Sequence, residues 1–254
     1  MNVLKLIEAR FAHRLVVNKN GRQITRFVGA AAVATWATLL SAPLPSASAA
    51  SCPDVEVLFA RGTGEPPGVG GVGQAFVDAL NSQAGGRSVG VYPVNYEASA
   101  DFSAGIDFAM TVVGGIRDAS SHIESMAGNC PNTREVLGGY SQGAAVAGYV
   151  TSAVIPPEIP AQFVSFVPQP MPPDVANHVA AVVLLGGPSN DFLRAHGAPP
   201  ITIGPLYVPK TIQLCAPGDT ICNGDPNGAL TPAHGAYPVN GMVGQGAAFA
   251  VGRL

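Results

Sequence analysis

The segment from residue 135 to residue 152 constrains the fold of this chain more than any other. It begins with the apolar run Glu135–Tyr140, passes through the pentapeptide Gly139–Gly143, and continues into the small residues of Ala144–Ser152. Glycines on both sides of a turn let a strand and the following helix approach each other without a side-chain clash. The segment therefore predicts a strand, a sharp turn at Ser141 and a helix, which is the repeating unit of an α/β fold.

The other apolar segments extend this alternation along the chain. Strands that are apolar on both faces are typical of parallel sheets covered by helices on both sides. We therefore expect a three-layer α/β/α sandwich with a central parallel sheet of about five strands, and no second domain. The sequence pattern of residues 95–115 does not distinguish between helix, strand and loop. The remaining predicted strands are 55–60, 89–94, 179–185 and 211–215, and the remaining predicted helices are 72–83, 118–127 and 242–251.

Residues 1–50 have the order of a secretory signal peptide with a long basic region. The first 26 residues carry six basic side chains and one acid, an uncharged apolar run follows at Phe27–Leu40, and two prolines precede the small-residue string Ala47–Ala50. A membrane anchor is the alternative, but the apolar run is shorter than the roughly 20 residues that a spanning helix needs. We expect cleavage near Ala49 or Ala50, and a secreted domain at residues 51–254.

The charge of the exported part argues against one class of function. After residue 50 the chain keeps seven basic and 15 acidic residues, which gives a formal net charge of −8. An acidic protein without a basic cluster is not drawn to nucleic-acid phosphates or to anionic membrane surfaces. We therefore expect no nucleic-acid partner, and no transmembrane segment in the mature chain.

All four cysteines lie after residue 50, and an even number in a secreted chain predicts two disulfides. Three pairings are possible in principle. Cys215 and Cys222 close a short loop, which leaves Cys52 with Cys130. A metal site is disfavoured, because the cysteines form no Cys-x-x-Cys pair and no histidine lies at ligand spacing from them.

Ser141 has the position of a nucleophile, at the end of a strand and the start of a helix. A serine hydroxyl needs a base to take its proton, and in α/β hydrolases the partners follow in the order Ser, Asp/Glu, His. His178 starts a strand, and His196 has Asp191 as its available acid. His234 lies in a loop before the last helix, so chain order and loop position favour His234 as the base.

Two aspartates, Asp219 and Asp225, lie between the last predicted strand and His234. Asp219 belongs to the loop between Cys215 and Cys222, where a disulfide would hold the carboxylate rigidly enough to orient an imidazole. Asp225 lies in an Asn-Gly-Asp-Pro sequence that is typical of an ordinary turn. We therefore favour Asp219 as the acid.

An acyl-transfer site also needs donors for the developing oxyanion. The backbone N–H of Gln142, the residue after the candidate nucleophile, is one candidate. A second donor normally comes from the loop after an early strand, where Thr63 lies. The alternative for Arg61–Thr63 is an ordinary tight turn.

Together these motifs resemble those of the cutinases, and most of all the cutinase-like proteins of mycobacteria and their relatives. The resemblance covers nearly all of residues 52–254. It implies an α/β-hydrolase-type domain, with Ser141, Asp219 and His234 as the catalytic residues, Thr63 and Gln142 in the oxyanion hole, disulfides Cys52–Cys130 and Cys215–Cys222, and no metal or cofactor. The motifs that carry it are Phe59–Glu65, Gly138–Gly143, Cys215-x-x-x-Asp219-x-x-Cys222 and His234-x-x-Tyr237.

Two segments, 97–115 and 153–173, look longer than in a minimal cutinase. Their apolar side chains are candidates for the wall of an acyl groove or for a partial lid, and extra surface packing is the alternative. These side chains are Phe102, Phe108, Met110, Phe163, Phe166, Val167 and Met171.

The resulting expectation is a secreted or envelope-associated monomer that hydrolyses esters of short to medium acyl chains through an acyl-enzyme, with lipids among the candidate substrates. Two alternatives keep the same fold and chemistry, namely a phospholipase and a carbohydrate acetyl esterase. A third is a non-catalytic envelope or lipid-binding protein.

Overall fold

Five parallel strands form one sheet in the computed structural model, which describes residues 52–254. The order across the sheet is β2-β1-β3-β4-β5, and each neighbouring pair is parallel. This confirms the predicted sheet and its number of strands. The strands are β1 (Val55–Ala60), β2 (Val89–Pro93), β3 (Arg134–Tyr140), β4 (Val179–Leu185) and β5 (Thr211–Leu214).

Helices cover both faces of this sheet, as the three-layer prediction requires. Along β1, Leu58 and Ala60 point into a core shared with α2 and α3, whereas Val57 and Phe59 point into a core shared with α1 and α5. This alternation follows from the two-residue period of a strand. The helices are α1 (Gly70–Gln83), α2 (Ile106–Asn129), α3 (Gln142–Val150), α4 (Asn190–Ala195) and α5 (Met242–Val251).

The sequence-based helix at 118–127 is too short, because α2 begins at Ile106. The first half of α2 contributes several apolar side chains to a cavity rather than to the core, so its pattern of burial lacks a clear helical period. The ambiguous residues before it hold a loop and a short 3₁₀ helix, Phe102–Ala104. A second 3₁₀ helix, Ala161–Phe166, lies in the proline-rich segment, and α4 was not predicted.

Two disulfides connect the cysteines in the expected pairing. Cys52–Cys130 joins the residues before β1 to the end of α2, across a sequence separation of 78. Cys215–Cys222 closes the loop that follows β5. The first bond ties the segment before β1 to the end of α2, and the second shapes a loop that contributes to the site described below.

The expected signal peptide at residues 1–50 lies outside the described residues. Within residues 52–254, no helix combines the length and the apolar character needed to cross a membrane.

A buried carboxyl group lies on the α2 side of the sheet. Glu135 on β3 is opposite Glu56 on β1 in the strand register and is fully buried. Glu56 in turn contacts the imidazole of His122 on α2, with 2.8 Å between oxygen and Nε2. Burial, and then the neighbouring Glu56 carboxylate, raise the pKa of Glu135 from 4.5 to about 9.

The raised pKa of Glu135 predicts a pH-dependent loss of stability. Between pH 4.5 and pH 9 the folded chain keeps a proton on Glu135 that the unfolded chain has lost. The free energy of unfolding therefore falls as pH rises through this range, by up to about 1.4 kcal/mol per pH unit, and the fall ends above pH 9. In Glu135→Gln the side chain cannot ionise, so this contribution disappears.

Urea unfolding of both proteins at pH 6, 7, 8 and 9 checks this prediction. The difference in stability between Glu135→Gln and the parent should move in favour of the variant as pH rises. Glu124→Gln, at an exposed position on the same helix as His122, is the control and should show no such trend. Parallel curves for the parent and Glu135→Gln would contradict the assignment.

Candidate active site

Ser141 occupies the turn between β3 and α3 in a conformation that non-glycine residues seldom adopt. Its φ is +54° and its ψ is −118°. The backbone N–H of Ser141 donates to the carbonyl oxygen of Leu185 at 2.9 Å, which fastens the turn to the end of β4. The side chain is therefore presented at the carboxyl end of the sheet by a strained but firmly held backbone.

The two glycines of the pentapeptide permit this turn. A Cβ atom on Gly139 would collide with the backbone of Gly143, one turn further along the chain. A Cβ atom on Gly143 would collide with the carbonyl oxygen of Ala60 at the end of β1. The glycines thus allow α3 to start directly against two strands, as the sequence predicted.

His234 lies beside Ser141, in the loop before α5. Its Nε2 atom is 2.9 Å from the Ser141 hydroxyl oxygen, and its Nδ1 atom is 2.9 Å from a carboxylate oxygen of Asp219. Since a carboxylate only accepts, Nδ1 carries the proton, and the neutral ring leaves Nε2 free to accept from the serine hydroxyl. The three side chains therefore form a continuous chain of hydrogen bonds across three loops.

Asp219 is fully buried, and His234 nearly so. The Cys215–Cys222 disulfide closes the loop that carries Asp219, and the backbone N–H of Asp219 donates to Ala216 within that loop. The N–H of Ile221 donates to one of its carboxylate oxygens at 3.1 Å. The carboxylate is thus held in one place and shielded from water.

Thr63 and Gln142 line the same cavity as Ser141 and His234. Gln142 is the first residue of α3, so its backbone N–H belongs to the first turn, where N–H groups have no acceptor within the helix. Its side-chain amide donates to the carbonyl oxygen of Ser99 at 3.2 Å. Thr63 lies in the loop after β1. The structure places both predicted oxyanion donors on the lining of the cavity that Ser141 and His234 also line.

Polar contacts stiffen the loop that carries Thr63. The buried guanidinium of Arg61 donates to the carbonyl oxygens of Glu65, Tyr96 and Glu97. The Glu65 carboxylate accepts from the N–H of Gly62 at 2.6 Å and from that of Gly71 at 2.7 Å. These hydrogen bonds hold the loop at both of its ends. An ordinary tight turn, which is the alternative for this segment, would not require them.

The alternative catalytic residues either lie at the opposite end of the sheet from Ser141 or contact groups outside the Ser141–His234–Asp219 chain. His178 precedes β4, at the opposite end of the sheet from Ser141. His196, at the end of α4, reaches the edge of the cavity, but its Nδ1 contacts the carbonyl oxygen of Phe192. Asp191 pairs with Arg194 at 3.2 Å. The Asp225 carboxylate accepts from the N–H of Asn227, as the turn prediction requires.

A deep apolar cavity of about 1450 Å³ opens beside Ser141. Its walls come from the first half of α2 and from residues 154–170, with further contributions from α4 and the loop around Leu230. Typical small-molecule sites occupy roughly 300–1,000 Å³. The cavity is therefore larger than a site for a small polar substrate requires.

The two long segments of the sequence form much of this cavity. Six of the seven apolar side chains named in them line it, and the seventh, Met171, is buried instead in the core on the α2 and α3 side of the sheet. The guanidinium of Arg117 on α2 donates to the carbonyl oxygen of Phe166 at 2.6 Å, so the two walls are joined. The six are Phe102, Phe108, Met110, Phe163, Phe166 and Val167.

Two tyrosines at the site were not singled out for a role by the sequence analysis. The hydroxyl of Tyr140 donates to the carbonyl oxygen of His234 at 2.6 Å, and the hydroxyl of Tyr237 contacts the Asp219 carboxylate at 2.8 Å. The spacing His234-x-x-Tyr237 was the available signal for the second. Among residues 52–254, no group of three or more His, Cys, Asp or Glu side chains is arranged to hold a metal ion.

The family model described as Cutinase matches residues 51–254. The chain belongs to the cutinase family. The sequence resemblance and the predicted α/β-hydrolase fold are therefore both confirmed, and the chain is a carboxylic-ester hydrolase, as its named relatives indicate.

Two relatives and one solved structure illustrate the range of the family. "Probable carboxylesterase Culp7" of Mycobacterium tuberculosis is 67% identical over 173 residues, which cover 68% of this chain and 89% of that protein. "Phospholipase Culp4" of the same organism is 47% identical over 233 residues, which cover 92% of this chain and 92% of that protein. A Trichoderma reesei cutinase, solved with a phosphonate inhibitor, superposes with a TM-score of 0.59 at 32% identity, over 79% of this chain and 76% of that one.

Proposed function

We propose that this protein is an exported serine esterase that hydrolyses esters of apolar acyl chains through a covalent acyl-enzyme. The observation that carries the proposal is the unbroken chain of hydrogen bonds from the Ser141 hydroxyl through His234 to the buried Asp219. A serine in such an arrangement is activated as a nucleophile, because the imidazole can take its proton as it attacks.

In the first half-reaction the Ser141 oxygen attacks the ester carbonyl and His234 Nε2 takes the hydroxyl proton. Asp219 stabilises the imidazolium that forms. The negative charge on the substrate oxygen is met by the backbone N–H of Gln142, at the start of α3, and by Thr63. His234 then returns the proton to the leaving alcohol, which departs and leaves an acyl group on Ser141.

In the second half-reaction the same groups act on water. His234 Nε2 takes a proton from a water molecule, which attacks the acyl carbonyl. The oxyanion donors stabilise the second tetrahedral intermediate, and its collapse returns the proton to the Ser141 oxygen. The products are the free acid and the original enzyme, so this cycle requires no group beyond the residues named.

The apolar cavity beside Ser141 supports an acyl chain as the group that the enzyme recognises. Its walls offer mostly side chains without hydrogen-bonding groups, which favours a hydrocarbon chain over a sugar. This observation weighs against the carbohydrate acetyl esterase among the alternatives. The volume of the cavity also leaves room for chains longer than the short to medium lengths expected from the sequence.

A phospholipase is the second candidate, because it uses the same chemistry on an ester of a long acyl chain. The similarity to the relative named Phospholipase Culp4 favours it, as does the size of the cavity. Completeness of the hydrogen-bonded chain at Ser141 argues against the third alternative, a non-catalytic lipid-binding protein.

Export is part of the proposal. The order of basic, apolar and small residues in 1–50 is that of a signal peptide, and residues 51–254 are the domain that would be released. Two disulfides support this, since such bonds persist outside the reducing cytoplasm.

Replacement of the nucleophile tests the mechanism. Ser141→Ala should lower kcat/KM for p-nitrophenyl butyrate by at least about 10⁴-fold, because no acyl-enzyme can form. Its thermal unfolding should stay close to that of the parent, because only one partly exposed oxygen is lost. Ser121→Ala, at an exposed position on α2, is the control and should keep full activity. Undiminished hydrolysis by purified Ser141→Ala would refute the proposed function.

A bulky side chain in the cavity tests the acyl groove. Ala109 on α2 is exposed and lines the cavity, so Ala109→Trp should obstruct part of it. We expect kcat/KM for p-nitrophenyl palmitate to fall about tenfold relative to that for p-nitrophenyl acetate, equivalent to losing contacts to about two methylene groups.

The matched control for the groove is Ser121→Trp, which places the same side chain on the outer surface of α2. It should leave the ratio of palmitate to acetate hydrolysis at the parent value. An Ala109→Trp enzyme with an unchanged ratio would show that the acyl chain does not use this cavity.

A further inference from the structure

Tyr237 is the largest fully buried side chain in the described part of the chain. Its ring packs near those of Tyr140 and His234, at centroid distances of 5.7 and 6.4 Å. Gly186, which follows β4 with a φ of +56°, leaves space for it, because a Cβ atom there would lie 2.8 to 2.9 Å from the phenol. The end of β4 is thus shaped around this phenol.

The contacts of the Tyr237 hydroxyl decide where its proton lies. The backbone N–H of Ala216 lies 3.0 Å from the phenolic oxygen and can only donate to it. The Asp219 oxygen Oδ2 at 2.8 Å and the disulfide-bonded Cys222 sulfur at 3.5 Å can only accept. Because the carboxylate oxygen is nearer and a much stronger acceptor than sulfur, the single phenolic proton is directed at Asp219. Burial raises the pKa of Tyr237, so the phenol keeps this proton over the working range of an esterase.

The donors around Asp219 show what this proton contributes. Oδ1 accepts from the N–H of Ile221, and both oxygens lie within 3.0 Å of His234 Nδ1. Within residues 52–254, the only side chains that hydrogen-bond to this carboxylate are the His234 imidazole and the Tyr237 phenol. Without the phenol, Oδ2 would have the imidazole alone, in a pocket that excludes water.

We propose that Tyr237 is a positioning residue for the esterase reaction, whose hydroxyl fixes the orientation of the Asp219 carboxylate and moderates its pull on the His234 proton. The inference rests on the proposed function, in which Asp219 is the acid partner of His234. Tyr237 does not line the cavity and does not touch the substrate site. Its effect should therefore appear in kcat and in the pH profile rather than in substrate binding.

The direction of the pH effect follows from the electrostatics of the buried carboxylate. A hydrogen-bond donor withdraws negative charge from the oxygen that accepts it. If the donor is removed, Asp219 becomes a stronger acceptor for the Nδ1 proton and favours the charged imidazolium. The acid limb of the activity profile, which reports protonation of the catalytic base, then moves to higher pH.

Tyr237→Phe is the direct test, because it removes the hydroxyl and keeps the ring. With p-nitrophenyl butyrate we expect kcat to fall about 10- to 100-fold, KM to change less than about twofold, and the acid limb of kcat/KM to move to higher pH. Tyr207→Phe is the control. It removes another buried phenolic oxygen, one that has no hydrogen-bond partner among residues 52–254 and does not line the cavity, and it should leave both kcat and the acid limb unchanged.

A double-mutant cycle separates action through Asp219 from general loosening. In an Asp219→Asn background, Tyr237→Phe should change kcat less than about twofold, because its acceptor is no longer a carboxylate. An equal loss in both backgrounds, or a loss in kcat with an unmoved acid limb, would overturn the proposal.

If Tyr237→Phe does not fold, 3-fluorotyrosine placed at position 237 keeps the hydroxyl and makes it a stronger donor. The acid limb should then move to lower pH, and an unmoved limb would overturn the proposal.

Ser141→Ala distinguishes failure of the proposed function from failure of the proposed role of Tyr237. An active Ser141→Ala refutes the proposed function itself, whereas an inactive Ser141→Ala together with an unaltered Tyr237→Phe refutes only the role of Tyr237.

Discussion

At the end of β3 the backbone turns so sharply that Gly143 rests against the carbonyl oxygens of Ala60 and Arg61, with no room for a side chain. This contact sets the start of α3 against β1 and leaves Ser141 at a φ of +54°. Gln142 is the first residue of α3, and Thr63 lies in the loop that follows β1, so both belong to the elements in contact. The candidate nucleophile and the candidate oxyanion donors are thus placed by one close approach of two backbones.

The other half of the site depends on two loops that meet at Tyr237. One carries Asp219 and is closed by the Cys215–Cys222 disulfide, and the other carries His234 and leads into α5. Tyr237 lies on the second loop, and its hydroxyl forms hydrogen bonds with Ala216 and Asp219 of the first loop. Folding of the domain is therefore what aligns the imidazole between an acid and a serine that are distant in sequence.

Sequence patterns located the elements that have a clear apolar pattern and misplaced the start of the helix that borders the cavity. The predicted bounds of β4 and α5 agree with the structure, because β4 is a continuous apolar run and the buried residues of α5 recur at helical spacing. The start of α2 was misplaced by twelve residues, because side chains such as Phe108 face the cavity and give no clear period. The juxtaposition of Ser141, Asp219 and His234 was expected from the Gly-x-Ser-x-Gly motif, from chain order and from the disulfide loop that holds Asp219. The bond from Tyr237 to Asp219 was not, because it exists only when the two loops close together.

Covalent labelling with an alkyl fluorophosphonate tests the central claim most directly, because such a probe reacts with an activated serine and stays attached. We expect one adduct per chain, located by peptide mass spectrometry on Ser141, and loss of ester hydrolysis in proportion to labelling. An adduct on a different residue, or a preparation that hydrolyses esters while remaining unlabelled, would contradict it.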